Sequence, residues 1–549
     1  MVNYMNLSKF ATDKYRWYAL VVLALAIAIV IIDNTVLNVA IPYILRDLHT
    51  SFDSIQWVIS GYALIIATLL IIFGRLGDTY GRKKIFLLGA VFFAVGSFIA
   101  SISQNVYILF LGEAFIEAIG AAMLTTSSLS LIASEFQGKE RAVAFGIWGS
   151  VAGGSASVGP LLGGFLTTYY SWRWSLRINV VVALIAIIGS VFIQESKGEN
   201  QRKFDFLGTF LSSAGLFLLV FGLIEGSKYG WWASNQTFAI GSFVWNSTKI
   251  SIIPYIFGLS ALLLGLFVLI ESKLEKNGQD PLLRMSMFKN RGFSLGLITL
   301  GILSMGLIGV FFILTIYLQN ALGLNAFNTG LIFMYASVSV AVFGPLSGFI
   351  ASRIGPKWIS TFGMFVTSFG IFLLRDLFSP TVKATVLAPG LILFGAGIGM
   401  ASAQLTNIII SQVNIKLAGE ASAVNSTVRQ IGTSIGIAIL GSVLASTLVT
   451  NIPQNIKSDN SIPAFAKTKI IESMKNVNVE SGAKADPTFT KKYPVIAKAV
   501  GNDVSLAITD GAKAALMLAF YFTLIGAFFS LFIPKTKIIA NEEMPKVVE

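Results

Sequence analysis

Charged and amide side chains inside apolar segments are the residues of this chain best suited to chemistry. A charge at the middle of a bilayer costs ~2.5–3.5 kcal/mol on insertion scales, so such residues mark ion pathways and binding sites. The candidates are Asp33, Asn34, Glu113, Glu117, Arg429 and Gln430. Glu113 and Glu117 are four residues apart, which places both carboxyls on one helical face. Carboxyls held together away from water resist ionising together, as a proton-binding site requires.

The position of Asp33 predicts that it lies near Glu117. At about 1.5 Å per residue the two carboxyls have similar depths in their segments, which permits one shared cavity. The acids then supply the proton site, with Asp33 and Glu117 as its titrating groups. An open alternative is that they pair with Arg177 or another internal cation and only stabilise helix packing.

Arg429 carries a charge that it cannot lose. Gln430 and Asn425 lie beside it in the same apolar segment. Two roles are open for this arginine: it neutralises an acid across an interface between helices, or it contacts a bound molecule. Other residues are candidates for the wall of a cavity in the second half of the chain, because such pockets are mostly apolar with a few polar groups. They are Gln319, Gln404, Asn407, Phe311, Phe312, Tyr317 and Tyr335.

The elements that must position these residues are membrane-spanning helices. Of the 549 residues, 55% are apolar and only 12% are charged, against roughly 25% charged residues in soluble domains. A span needs about 20 apolar residues. Fourteen segments qualify, near 17–42, 55–73, 85–102, 106–133, 142–168, 174–193, 206–225, 251–270, 293–319, 328–349, 358–375, 385–412, 421–448 and 513–534. We therefore predict an all-α integral membrane protein.

Composition excludes several classes of function. The chain has no Cys and a single His, His49, which leaves no Cys- or His-based metal site and no plausible catalytic set. No Gly-x4-Gly-Lys-Ser/Thr phosphate loop occurs, which disfavours an ATP-driven pump. We expect no enzyme activity and no cofactor. The net charge of +13 lies in the connections between spans, so we expect the lipid bilayer rather than nucleic acid as its partner.

The distribution of Lys and Arg predicts the orientation. Cytoplasmic connections retain positive charge, and Lys and Arg are concentrated at the N-terminus and in alternate connections such as 74–84 and 273–291. Both termini are then cytoplasmic, in a multi-pass protein of the cell (plasma or inner) membrane. The polar stretch 449–512 is placed outside as an exposed linker. The alternation at Val477 to Val479 leaves a small hairpin or an amphipathic flap as the alternative.

An internal repeat divides the chain. Gly74-Arg-Leu-Gly-Asp78-Thr-Tyr-Gly81-Arg82-Lys-Lys84 aligns with Gly348-Phe-Ile-Ala-Ser352-Arg-Ile-Gly355-Pro-Lys357. Duplicated six-helix halves with a substrate path between them are a common transporter design. The predicted organisation is a first half at 1–195, two inserted helices and a linker at 196–292, and a second half at 293–549.

Several motifs, in order, resemble the major facilitator superfamily, and within it the fourteen-helix drug:proton antiporters of the EmrB/QacA type. The loop from Gly74 to Lys84 is similar to the superfamily's signature loop. The other matches are Asp33 to Pro42, the fifth-segment glycines, Trp172-Arg173-Trp174 with Asn179, Phe204 to Gly208, Gly222 to Gly226, Pro281 to Arg284 with Phe288, and Ala421 to Gly432. The resemblance covers nearly the whole chain except 449–512.

The resemblance implies roles for two of these motifs. Gly74, Asp78, Gly81 and Arg82 would form a latch that holds the two halves together on the cytoplasmic side. The antiporter motif comprises Gly149, Gly153, Gly159, Pro160, Gly163 and Gly164. Its glycines allow close helix packing and its proline allows bending, which suits a rocking interface. Plain helix packing is an equally good explanation of these glycines.

The fourth segment departs from the family pattern. Ala114 stands where the family has the arginine assigned to proton coupling, Glu117 replaces its glutamine and Thr126 its proline. Glu117 with Asp33 is therefore the predicted replacement. The implied function is efflux of a small lipophilic, cationic drug by a monomer that is driven by the proton gradient. The alternatives are a proton-coupled exporter of a metabolite, lipid or peptide, and a membrane sensor without transport.

Overall fold

The computed structural model describes residues 13–50, 52–197, 205–240, 243–245, 249–414, 417–474 and 493–534. These residues are almost entirely helical, as predicted. The predicted cytoplasmic termini fall on residues 1–12 and 535–549, which lie outside the described residues.

Six long helices make up the first half of the bundle. They are α1 Asp13–Asp47, α2 Phe52–Tyr80, α3 Arg82–Ser101, α4 Val106–Glu135, α5 Gly138–Tyr169 and α6 Trp172–Gly189. Polar side chains begin two of them: Asn105 accepts a hydrogen bond from the Ile108 amide at 3.0 Å, and Ser171 accepts one from the Arg173 amide at 3.3 Å. Such caps satisfy amides that the first helical turn leaves without partners.

Two further helices, α7 Phe206–Tyr229 and α8 Ile253–Lys276, pack against each other and against the first half. A short antiparallel hairpin, β1 Phe238–Ile240 and β2 Phe243–Trp245, lies in their connection. They match the two inserted helices of the predicted architecture.

The second half contains α9 Arg291–Ile316, α10 Ala326–Ile354, α11 Pro356–Leu377, α12 Ala388–Ser411, α13 Ala418–Ser458, α14 Ala464–Met474 and α15 Pro494–Leu531. The prediction of an exposed linker at 449–512 was wrong for most of its described part. Helices α13 and α15 extend into it, and Ile456, Ile462 and Val504 are buried there. Apolar residues spaced along a mostly polar stretch are enough to pack extended helices against each other.

Thirteen helices in the described part of the chain are long and apolar enough to cross a membrane. The fourteenth predicted span is α5, whose 32 residues would reach about 48 Å. Its many Gly and Ser residues lower its hydropathy, and much of its surface packs against α1 and α10. A helix surrounded by protein does not need the apolar surface that lipid requires.

The two halves repeat one packing motif. Gly89 and Gly96 bring α3 against α4, where Gly120 leaves no room for a Cβ beside the Phe93 backbone. In the second half Gly370 and Gly397 bring α11 against α12 in the same way. Gly81 and Gly355 also match: both precede a helix and adopt positive φ angles of 121° and 94°, which favour glycine.

Candidate functional site

Three buried carboxyls meet inside the first half. Asp33 of α1 and Glu113 and Glu117 of α4 each offer an oxygen atom, and these atoms lie within 4.8 Å of one another. None of the three side chains is more than 2% exposed. The structure thus brings together the three acids that the sequence predicted to be neighbours, which we call the carboxyl trio.

The described surroundings of the trio are polar but carry no positive charge. The Asn179 amide of α6 donates to Asp33 Oδ1 at 2.5 Å and to Glu117 Oε1 at 3.2 Å. The hydroxyls of Tyr62 and Ser97 lie next to Asp33 and Glu117, respectively. One oxygen of each trio residue has no hydrogen-bond partner.

The alternative in which Arg177 neutralises the trio does not match the structure. The Arg177 guanidinium lies over the Trp174 ring of its own helix, 5.0 Å from the centroid. Among the described residues, no ion pair includes a trio carboxyl. Three carboxyls packed this closely without a cation cannot all remain charged, because nothing compensates their repulsion in a low-dielectric interior.

Local helix geometry differs from the predicted α-helix at this point. Residues Phe110–Glu117 form a π-helical segment that carries both glutamates. Gly112 and Gly96 hold this segment directly against α3, where Gly96 contacts the Glu117 backbone. π-Helical segments recur at functional sites because they turn side chains away from the α-helical register.

The trio belongs to the first half only. The packing repeat places Phe394 of α12, which contacts Gly370, where Glu117 contacts Gly96. The acid site therefore has no copy in the second half. Asn34, next to Asp33 on α1, is exposed.

Arg429 lies elsewhere, where the two halves meet. Its guanidinium is 5.3 Å from the ring centroid of Trp148 on α5, and its Nη2 donates to Thr406 Oγ1 of α12 at 3.3 Å. The predicted pairing with an acid is absent among the described residues. Gln430 next to it is half-buried.

A polar cluster joins the halves at the end of the bundle that carries the loop 74–84, which we call the basic end. Asp78 Oδ1 accepts hydrogen bonds from Arg82 Nε at 3.0 Å, from Arg82 Nη2 at 2.8 Å and from the Gly419 amide at 3.1 Å. Its Oδ2 accepts from the Glu420 amide at 3.1 Å. Asp78 thereby caps α13, and a carboxylate at a helix start is favoured by the helix dipole.

A second contact closes the same end. Arg75 Nη1 pairs with Glu420 Oε1 at 2.9 Å, and Glu420 Oε2 accepts from the Arg284 amide of the linker at 3.1 Å. Gly74 packs directly on Gly419. The loop predicted to be a latch is thus in contact with both the second half and the linker.

The glycines of α5 face two neighbours. Gly149, Gly153 and Gly164 pack on α12 and α10 of the second half. Gly159 and Gly163 pack on α1 at Thr35 and Val36. The backbone at Pro160 is helical, while the Pro160 side chain is outside the described atoms.

The end of the bundle opposite the basic end is tied by the Trp172-Arg173 pair. Arg173 pairs with Asp47 of α1 and donates to the Ser103 carbonyl at 2.7 Å. The Trp172 indole donates to Asp47 Oδ2 at 3.1 Å. The Arg173 guanidinium beside Asp47 lowers the pKa of that carboxyl.

Sequence reasoning missed Glu420, Tyr62, Ser97 and Trp148 as site residues. Glu420 had a usable signal, since it is an acid directly before the matched motif at 421–432. The others had none, because Tyr, Ser and Trp are common in spans and only the folded bundle shows which ones face a carboxyl or a guanidinium.

Known proteins resemble this chain along most of its length. A sequence profile described as Major Facilitator Superfamily matches residues 23–437. The puromycin resistance protein of Streptomyces alboniger is 33% identical over 78% of this chain and 82% of its own length. The multidrug resistance protein Stp of Mycobacterium tuberculosis is 30% identical over 78% of this chain and 76% of its own.

A solved structure shares the fold. The proton:xylose symporter XylE superposes with a TM-score of 0.57 at 14% identity, over 96% of this chain and 97% of that one. At this identity the likeness concerns the fold, and it confirms the predicted arrangement of two six-helix halves.

Proposed function

Because the chain belongs to the Major Facilitator Superfamily, we propose that it is a proton-coupled antiporter that exports lipophilic drugs by alternating access. Relatives named for puromycin resistance and for multidrug resistance support the cargo class. The observation that carries the coupling is the carboxyl trio, whose three buried acids have an amide donor but no cation among the described residues.

The trio supplies a proton site through its own chemistry. Its oxygens are close enough to share a proton, and Asn179 can donate to Asp33 and Glu117 in either protonation state. Proton binding removes a buried charge, and release restores it. A change of charge inside the first half alters how that half packs against its neighbours, which couples protonation to the rocking of the halves.

The basic end supplies the latch. Asp78 and Glu420 connect α2 to the start of α13, so these contacts hold the basic end closed. Opening toward that side requires their release. In the proposed orientation the basic end and both termini are cytoplasmic, and the protein works as a monomer in the cell membrane.

The charge of the cargo follows from where the acids lie. A lipophilic cation that entered the first half would be attracted to the deprotonated carboxyl trio, so it would compete with protons for that site. That opposition is the proposed exchange step, and it gives cations as the predicted cargo of this half.

Drug efflux from energised cells tests the proposal. We expect cells that express the protein to exclude ethidium, and a protonophore to abolish the exclusion. Asp33→Asn should lose it at normal expression, while Asp376→Asn, an exposed acid paired only with the adjacent Arg375, should keep it. Protonophore-insensitive exclusion would contradict proton coupling.

A further inference from the structure

Arg429 presents an uncompensated charge at the contact between the halves. In the described part of the chain its polar contact is Thr406, and its other close neighbour is the ring of Trp148. A guanidinium has five N–H donors, so most of them lack a protein acceptor there. The side chain is half-buried rather than sealed.

Two neighbouring groups also lack partners. The Trp148 indole nitrogen makes no hydrogen bond, although the residue is only 2% exposed. Asn425 is fully buried, and neither its amide nitrogen nor its amide oxygen has a partner. Asn425 lies four residues before Arg429 on α13, so the two share a helical face.

We propose that Arg429, Trp148 and Asn425 form a cargo subsite that binds an aromatic compound through its carboxylate. The inference rests on the proposed transport function and names a chemical group that this cargo carries. Buried polar groups without partners are rare in folded proteins. Here two residues with such groups, among those that the structure describes, accompany a guanidinium whose polar contact is Thr406. A carboxylate from the cargo would accept hydrogen bonds from the guanidinium, the Trp148 indole N–H and the Asn425 amide N–H.

The chemistry of the three side chains defines what binds. The planar guanidinium pairs with a carboxylate through two parallel hydrogen bonds. The Trp148 indole donates to a further oxygen and offers an aromatic edge to a flat molecule. A cation without an acceptor gains nothing from this subsite and is repelled by Arg429.

The subsite and the carboxyl trio are built from different helices. The trio uses α1 and α4 with α6, whereas the subsite uses α5, α12 and α13. A cationic group of the cargo and its carboxylate would therefore be recognised by different helices. This arrangement separates recognition of the acceptor from the proton site.

A matched pair of dyes tests the subsite: a rhodamine with a free carboxylate, and its methyl ester. Uptake into inverted membrane vesicles with an imposed pH gradient is followed by fluorescence. We expect the carboxylate dye to have the lower KM in the wild type. Arg429→Gln should lower its kcat/KM about tenfold and change that of the ester less than twofold, whereas Arg429→Lys should restore part of the loss.

Two further variants guard against loss of folding as the explanation. Trp148→Phe keeps the ring and removes the N–H, so it should raise the KM of the carboxylate dye a few-fold and leave that of the ester unchanged. Arg177→Gln removes an arginine that also lies on a tryptophan, but away from the contact between halves, and should affect neither dye. Thermal unfolding of each purified variant checks that it is folded.

The outcomes separate the subsite from the proposed function. Transport of the ester but not of the carboxylate, or equal losses for both dyes in Arg429→Gln, would overturn the subsite and leave drug export intact. Transport of neither dye nor of ethidium under a pH gradient would overturn the proposed function itself.

Discussion

The buried acids of the carboxyl trio and of the basic end differ in their partners. Asp78 and Glu420 are each paired with an arginine and accept hydrogen bonds from backbone amides. The trio carboxyls have one asparagine amide between them and oxygens without partners. Acids of the second kind can exchange protons without breaking an ion pair, which supports the trio rather than Asp78 as the proposed proton site.

Asn179 is the side chain on which the trio depends. Asn179→Ala removes the donor shared by Asp33 and Glu117, and each buried acceptor left without a partner costs about 1–3 kcal/mol. We expect proton-driven ethidium transport to fall at least tenfold and the melting temperature of the purified protein to drop. Ser175→Ala, one turn earlier on α6 and also buried but without a hydrogen-bond partner, is the matched control. Equal transport in both variants would remove Asn179 from the site.

The candidate acids were predictable from the sequence because a charge stands out in an apolar run. Asp33, Glu113 and Glu117 were expected to be neighbours and are. The π-helical segment and the environment of Arg429 were not predictable. They depend on how α3 approaches α4 and on which indole lies opposite Arg429. No local sequence pattern predicts either of these.

Among the helices, α5 has the largest share of the contact between halves, and its glycines set how closely the halves approach. A Cβ at Gly153 would lie 2.6 Å from Val340 Cγ1, whereas at Gly154 the nearest atom, the Ser337 carbonyl oxygen, is 3.8 Å away. The two neighbouring glycines therefore differ in their packing. Gly153 lies at the contact with α10, and Gly154 lies beside that contact.

Alanine substitution should separate these two glycines. Alanine favours a helix over glycine by about 1 kcal/mol, so Gly154→Ala should leave transport unchanged and raise stability slightly. Gly153→Ala should force α5 and α10 apart at a cost of about 1–3 kcal/mol and reduce transport several-fold. The readouts are ethidium efflux and thermal unfolding, and similar behaviour of the two variants would contradict a packed rocking interface.

The latch between α2 and α13 makes its own prediction. Arg75→Glu places a second acid beside Glu420 at the basic end, where the side chains of Arg75 and Glu420 are 5% and 1% exposed. This substitution should abolish efflux. Arg75→Glu combined with Glu420→Arg restores opposite charges and should recover part of the activity. Ser352→Ala alters the position of the repeat that corresponds to Asp78, where the hydroxyl bonds only within its own helix, and should be silent. Failure of the charge swap, with folding intact, would count against an ion-pair latch.

Taken as one bundle, the molecule is an unequal duplication. Glycine-packed helix pairs and the two positive-φ glycines repeat in both halves, while the acids do not. The halves and the inserted helices were predictable from the repeat and the apolar segments. The helical extensions beyond 449 and before 512 were not, because their sequence is polar and is held in helices by contacts between α13 and α15.

Orientation in the bilayer can be measured on the chain as it stands, because it contains no Cys. Lys84 lies in the first turn of α3 and Gln104 lies just beyond its last residue, and both are exposed. Single thiols introduced by Lys84→Cys and Gln104→Cys therefore mark opposite ends of this helix. A membrane-impermeant maleimide added outside intact cells should label Gln104→Cys and spare Lys84→Cys until the membrane is permeabilised. The reverse pattern would place the basic end outside and invert the proposed direction of transport.

Proton movement in proteoliposomes is the measurement that tests coupling through the carboxyl trio most directly. With an imposed pH gradient, adding ethidium to wild-type vesicles should collapse the gradient at a rate that depends on ethidium concentration, and Asp33→Asn and Glu117→Gln should each abolish this response while remaining folded. If Glu117→Gln carried protons as the wild type does, or if the wild type moved no protons when cargo was added, the carboxyl trio would not be the coupling site.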